Sequence, residues 1–136
     1  MSAPRSVPRA AHALEAVLVG LVSALLLGVL GLPITPRLLL ALLGLGAFCA
    51  LAIPVQVHCW GTFIAPALTR SRISYVVFIL AMSMTLSSVP DDAPLGWRAA
   101  ATILLPCAFY VLARWDDART VELLRARAPI RFSHGR

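Results

Sequence analysis

Residues 13–57 read ALEAVLVGLVSALLLGVLGLPITPRLLLALLGLGAFCALAIPVQV, two apolar runs, 13–32 and 38–57, separated by Pro33 and Pro36. A helix rises 1.5 Å per residue, so roughly 20 apolar residues cross a hydrocarbon core of about 30 Å. Each run has that length, and the prolines between them leave room only for a tight hairpin. Two membrane-spanning helices are therefore expected from this stretch. Two further runs follow, 73–89 and 97–113. The last is the shortest, but Trp97 and Trp115 bracket it. As a helix, those eighteen positions cover about 27 Å, close to the separation of the two aromatic belts of a bilayer. Arg98 fits within this span if its stem lies along the helix and its guanidinium reaches the headgroups.

Composition points the same way. Of 136 residues, 60% are hydrophobic and 13% charged, with a mean hydropathy of +0.85, whereas a soluble domain needs about a quarter of its residues charged to cover its surface. The net charge of +6 is carried by twelve Arg and no Lys, a usage that suggests a GC-rich bacterial genome. Basic residues interleaved with long apolar runs read as membrane-flanking charges and argue against nucleic acid as a partner. Ten of the arginines fall on one side if the amino terminus is inside, and only Arg37 and Arg98 on the other. The positive-inside rule then assigns both tails and the loop around Arg70 and Arg72 to the cytoplasm. The expected fold class is all-α, an integral membrane four-helix bundle, N-in/C-in, forming a single transmembrane domain over 1–136 with a basic cytoplasmic tail over 114–136. A cleaved signal peptide is the rival for the first run, but the run is longer than a usual signal core and no small-x-small cleavage site follows Leu32. The localisation expected is the bacterial cytoplasmic membrane.

No Asp, Glu, Lys or Arg occurs from Leu38 to Thr69. One straight helix of that length would extend about 48 Å, past the hydrocarbon core. Pro54, Gly61 and Pro66 argue for a break, so residues 58–68 are expected to form an interfacial or partly re-entrant segment between the second and third spans.

Candidate functional residues are sparse. Glu15, with His12 one turn before it on the same face, is the one acid near the hydrocarbon. Intramembrane carboxylates bind protons or cations, but a place in the first helical turn would let Glu15 reach water and favour the helix dipole. A four-span chain with an early Glu is similar in outline to the small multidrug-resistance transporters; the likeness ends at Glu15, and none of that family's other motifs is present. Ala16, Gly20, Ala24 and Gly28 recur every four positions and form a small-residue ridge where another helix, of the same bundle or of a second copy, can pack closely. Gln56, His58, Cys59 and Trp60 cluster near a membrane edge. His and Cys ligate metals, but neighbouring helical residues point about 100° apart and a site needs three or four ligands. Trp60 as an interfacial anchor with His58 facing headgroups is the simpler reading, and no metal or cofactor is expected. Ser83 and Ser87, with Thr85 and Ser88, can line a polar path or bond to carbonyls one turn back. Asp91 and Asp92 read as a solvated turn. Pro106 frees a backbone carbonyl in the last span. Beyond Trp115 a helix is expected to continue, with Asp116–Arg119 and Glu122–Arg125 pairs at helical spacing, until Pro129 ends it. The three Cys form no CxxC and imply no disulfide framework.

Clustered acids, a His pair, or a nucleophile with a base are all missing, which argues against an enzyme. Two functions are left. One is a non-enzymatic subunit or scaffold acting through helix packing, with the lipid bilayer and a membrane-protein partner or second copy as its contacts. The other is an oligomeric transporter or channel using Glu15 and the polar residues of the third span.

Overall fold

A computed structural model describes residues 5–61, Met82 and 92–127. The regular structure among the described residues is all helical, with α1 over Arg9–Leu26, α2 over Ile34–Trp60 and α3 over Leu95–Arg127. Each is long and apolar enough to cross a membrane, as befits a small multi-pass membrane protein. The expected third span, 73–89, lies outside the described residues except for Met82, which is helical and packs against Ala16, Val19, Phe109 and Ala113.

α1 starts four residues before its apolar run, because Arg9, Ala10, Ala11 and His12 are competent helix formers behind Pro8. It also stops six residues short of Leu32. Gly28 and Gly31 adopt φ of +67° and +64°, left-handed conformations that end a helix and cost glycine little. The amides of Leu27, Gly28 and Val29 turn back to the carbonyls of Ser23, Leu25 and Ala24. The hairpin to α2 is thus made by residues 27–33, while Thr35 and Pro36 already belong to the first turn of α2.

α2 corrects a second expectation. It runs unbroken through Pro54 to Trp60, about 40 Å, so His58, Cys59 and Trp60 belong to the helix and not to a separate interfacial segment. Gly61 ends it with φ +76° and an amide hydrogen bond to the Val57 carbonyl. The rest of the expected interfacial stretch lies outside the described residues. α3 spans about 50 Å and joins the last span and the tail helix in one element, as the sequence pattern suggests.

Both α2 and α3 pack antiparallel to α1. Gly20 faces Pro106 and the Thr102 carbonyl, so near that a Cβ there would stand 3.2 Å from Pro106 Cγ; Gly44 faces Val22, where a Cβ would meet Cγ2 at 2.8 Å. Small residues on the inner faces, Ala16 and Ala24 on α1 and Ala41, Gly44 and Ala52 on α2, let the backbones approach, the usual source of helix association in lipid. Phe48 of α2 meets Phe109 of α3 edge-to-face, centroids 5.6 Å apart, and closes the centre.

The distribution of side chains is inverted relative to a water-soluble bundle. Leu38, Leu39, Leu40, Leu42, Leu43 and Leu45 stand on the surface, whereas the most deeply buried side chains include His12, Glu15, Ser23, Asp116 and Asp117. Water would drive the reverse arrangement, so a leucine-rich surface over a polar interior is compatible with a lipid-facing α2.

Candidate functional site

Three helix ends meet where the amino-terminal segment lies: the start of α1 and the ends of α2 and α3. There the chain buries His12, Glu15, Gln56, Asp116, Asp117 and Thr120 together with Val7, Cys59, Trp60 and Val121. Buried polar groups need partners, since an unmet donor costs about 1–3 kcal/mol. Asp117 serves two donors here, the Trp60 indole and the Val7 amide. Its Oδ1 accepts from Trp60 Nε1 at 3.0 Å, and both carboxyl oxygens accept from the Val7 amide at 3.0 and 3.2 Å. The Arg5 amide donates to the Cys59 carbonyl at 2.8 Å. Residues 5–7 therefore form a strap that ties the end of α2 to α3 through one carboxyl group.

His12 and Glu15 lie beside this lock. His12 Nδ1 and Glu15 Oε2 are hydrogen-bonded at 3.1 Å, with side chains 1% and 0% exposed. Among the described residues, His12 Nε2 and Glu15 Oε1 have no hydrogen-bond partner. The expectation that Glu15 reaches water from the first turn is corrected. α1 begins at Arg9, which moves Glu15 into the second turn, on the inward face shared with Ala16 and Val19.

The other candidates divide. Gln56 is buried on the α2 face nearest the strap, and His58 is exposed. Trp60 is 5% exposed with its indole N–H committed to Asp117, so it is an internal tie and not an interfacial anchor. Of the small-residue ridge, Ala16 and Ala24 are buried and Gly20 packs on Pro106; Gly28 has left the helix and sits in the following turn. Ser83 and Ser87 lie outside the described residues. On the tail helix, Arg119 Nη1 lies 3.9 Å from Glu122 Oε2, and its guanidinium sits over the Trp115 ring. Asp116, expected to pair with Arg119 at helical spacing, is turned fully into the bundle.

Asp117, Val7 and Trp60 are the residues that sequence reasoning missed as a group. Positions 7, 60 and 117 carry no shared motif, and their separation along the chain hides the contact. The one available signal was the placement of Asp116 and Asp117 directly after an interfacial Trp115, where one face of a continuing helix must still be buried.

Chemically, the arrangement places an imidazole nitrogen and a carboxyl oxygen in buried hydrogen-bond contact. Among the described residues no three His, Cys, Asp or Glu side chains come close enough to hold a metal ion. A second feature lies on the outer surface between α1 and α3, an apolar groove of about 430 Å³ lined by Ala13, Val17, Gly20, Pro106, Cys107 and Val111 among others. No family model, curated protein or solved structure matches the chain.

Proposed function

We propose that the chain is a four-span, N-in/C-in protein of the bacterial cytoplasmic membrane that acts without catalysis, as a subunit binding a transmembrane helix of another membrane protein. The observation that carries this reading is the groove between α1 and α3. Its floor is made of small residues and proline, Ala13, Gly20 and Pro106, which bring backbone to the surface where a foreign helix gains close van der Waals contact. The strap and the Asp117 lock hold the flanking helices at fixed spacing, so the groove is pre-organised and little ordering is needed on binding. A photoreactive residue at Val17 or Val111, both 65% exposed, is expected to crosslink in native membranes to one discrete membrane protein. Ala13→Trp, which fills the groove, is expected to abolish that adduct while leaving membrane insertion intact. Crosslinks to lipid alone would overturn the reading.

The His12–Glu15 pair favours a second reading, an oligomeric transporter or channel that moves protons or cations. Its support is the deep burial of both side chains, each with one polar atom that has no hydrogen-bond partner among the described residues. In liposomes loaded with a pH-sensitive dye, an imposed pH gradient is expected to collapse about tenfold faster with the wild-type chain than with Glu15→Gln. Equal rates for both proteins, matching empty vesicles, would remove this reading, as would a groove adduct to a foreign protein with no self-association.

A further inference from the structure

The amino-terminal strap runs into α1 through a stiff joint. Pro8 caps the helix at φ −56° and ψ 141°, and its carbonyl accepts from the amides of Ala11 and His12. Its ring fixes its own φ and keeps Val7 before it out of the helical region. Whatever holds Val7 therefore also holds the first turn of α1. Val7 is held on α3, where its amide donates to Asp117 and its buried side chain packs in one cluster with Cys59, Trp60 and Val121.

The same two helices touch again at Gly20, which lies directly against Pro106. The apolar groove sits between these two contacts, with Ala13 and Val17 on its α1 wall and Cys107 and Val111 on its α3 wall. Ala16 and Val19 meet Phe109 and Ala113 on the inward side by apolar contact, which is non-directional. Val7 is held by directional hydrogen bonds. Seven residues separate Ala13 from Gly20, so a rotation of about 10° at Gly20 shifts Ala13 by about 2 Å. A gap of that size forfeits the close packing by which helices associate in lipid.

We propose, resting on the partner-helix reading of the groove, that residues 5–7 are a latch on it. With the strap docked the groove has the width that takes a partner helix; with the strap lifted, α1 swings about Gly20 and the groove loses it. The coupling is reciprocal, so an occupied groove holds the strap down and its occupancy is passed to the amino-terminal side of the membrane. Cys59 registers the state of the strap, because its side chain is buried in the cluster with Val7 and its carbonyl accepts from the Arg5 amide.

The test uses the full chain in membrane vesicles that expose the amino terminus, with two readouts taken together. One is the photocrosslinked adduct formed from position 17. The other is modification of Cys59 by a charged maleimide, which does not reach Cys49 or Cys107 among acyl chains. Val7→Ser removes the apolar anchor and leaves the backbone amide. It is expected to speed Cys59 modification and to lower the adduct yield by about tenfold each, the weight of one buried valine. Val7→Ile is expected to keep both within about twofold of wild type. Two glycines inserted between Val7 and Pro8 leave the strap its own contacts but free α1 from them, so the adduct should fall while Cys59 stays protected; misfolding would expose Cys59 instead. Among wild-type chains, those carrying the adduct should be modified at Cys59 more slowly than those without it. A rise in Cys59 modification with an unchanged adduct in Val7→Ser, no rise in that variant, or an adduct that survives the insertion would each overturn the latch alone. No adduct from the wild-type chain would overturn the groove reading, and the latch with it.

Discussion

Asp117→Ala is expected to lower the unfolding free energy by about 3–5 kcal/mol and to release the amino-terminal strap. The substitution removes the acceptor for Trp60 Nε1 and for the Val7 amide at once, and both donors stay behind in a site where Val7 is 1% and Trp60 5% exposed. Neither can turn to water without opening the contact between α2 and α3. Two stranded donors, each costing about 1–3 kcal/mol, outweigh anything a surface ion pair such as Arg119–Glu122 contributes, which is about 0–1 kcal/mol. Unfolding by increasing mole fraction of SDS in mild detergent measures the change. Asp117→Asn retains one carbonyl acceptor but presents an amide donor to the second N–H, so it should fall between wild type and Ala. Limited proteolysis gives an independent reading: cleavage after Arg5 or Arg9 should become fast in Asp117→Ala. An Ala variant as stable and as protease-resistant as wild type would show that the strap contributes nothing.

Much of the fold was legible because lipid imposes a length rule. The apolar runs beginning at Ala13 and Leu38, and the Trp97 to Trp115 stretch, each coincide with a helix, since hydrocarbon leaves the backbone no other way to satisfy its N–H and C=O groups. Helix ends were less legible. Hydropathy does not register that Arg9, Ala10 and Ala11 are good helix formers, nor that Gly28 turns left-handed while Gly20 and Gly44 stay helical. Gly61 was read as a break and became the terminus of α2, whereas Pro54 was read as part of the same break and lies inside the helix. The small-residue spacing of α1 was visible in the sequence. The matching one on α2, Ala41, Gly44 and Ala52, was equally visible but lay within a leucine-rich run that masks it.

The polar end of the bundle was legible only in fragments. His12 and Glu15 announced themselves by being polar side chains near an apolar run and three residues apart. Their burial did not, because it depends on α1 starting at Arg9 and on the face of α3 that carries Phe109, Ala113 and Asp116. Asp117 was not singled out, because acids beyond a span face water by default. Its partners lie 57 and 110 residues away in sequence, and a single sequence carries no trace of such a contact.

The central claim is that lipid solvates this chain, and two native cysteines test it directly. Cys49 on α2 and Cys107 on α3 are exposed on the folded surface, and both lie within apolar stretches far from either helix end. In water, exposed thiols react readily with maleimides. In a membrane they face acyl chains, where neither a charged reagent nor the thiolate form is stable. A membrane-impermeant charged maleimide applied to intact and to inverted membrane vesicles should therefore leave Cys49 and Cys107 unmodified on either side, with full modification only after SDS dissolves the bilayer. Rapid labelling of both cysteines in the folded chain, in vesicles or in a detergent-free soluble fraction, would contradict the account.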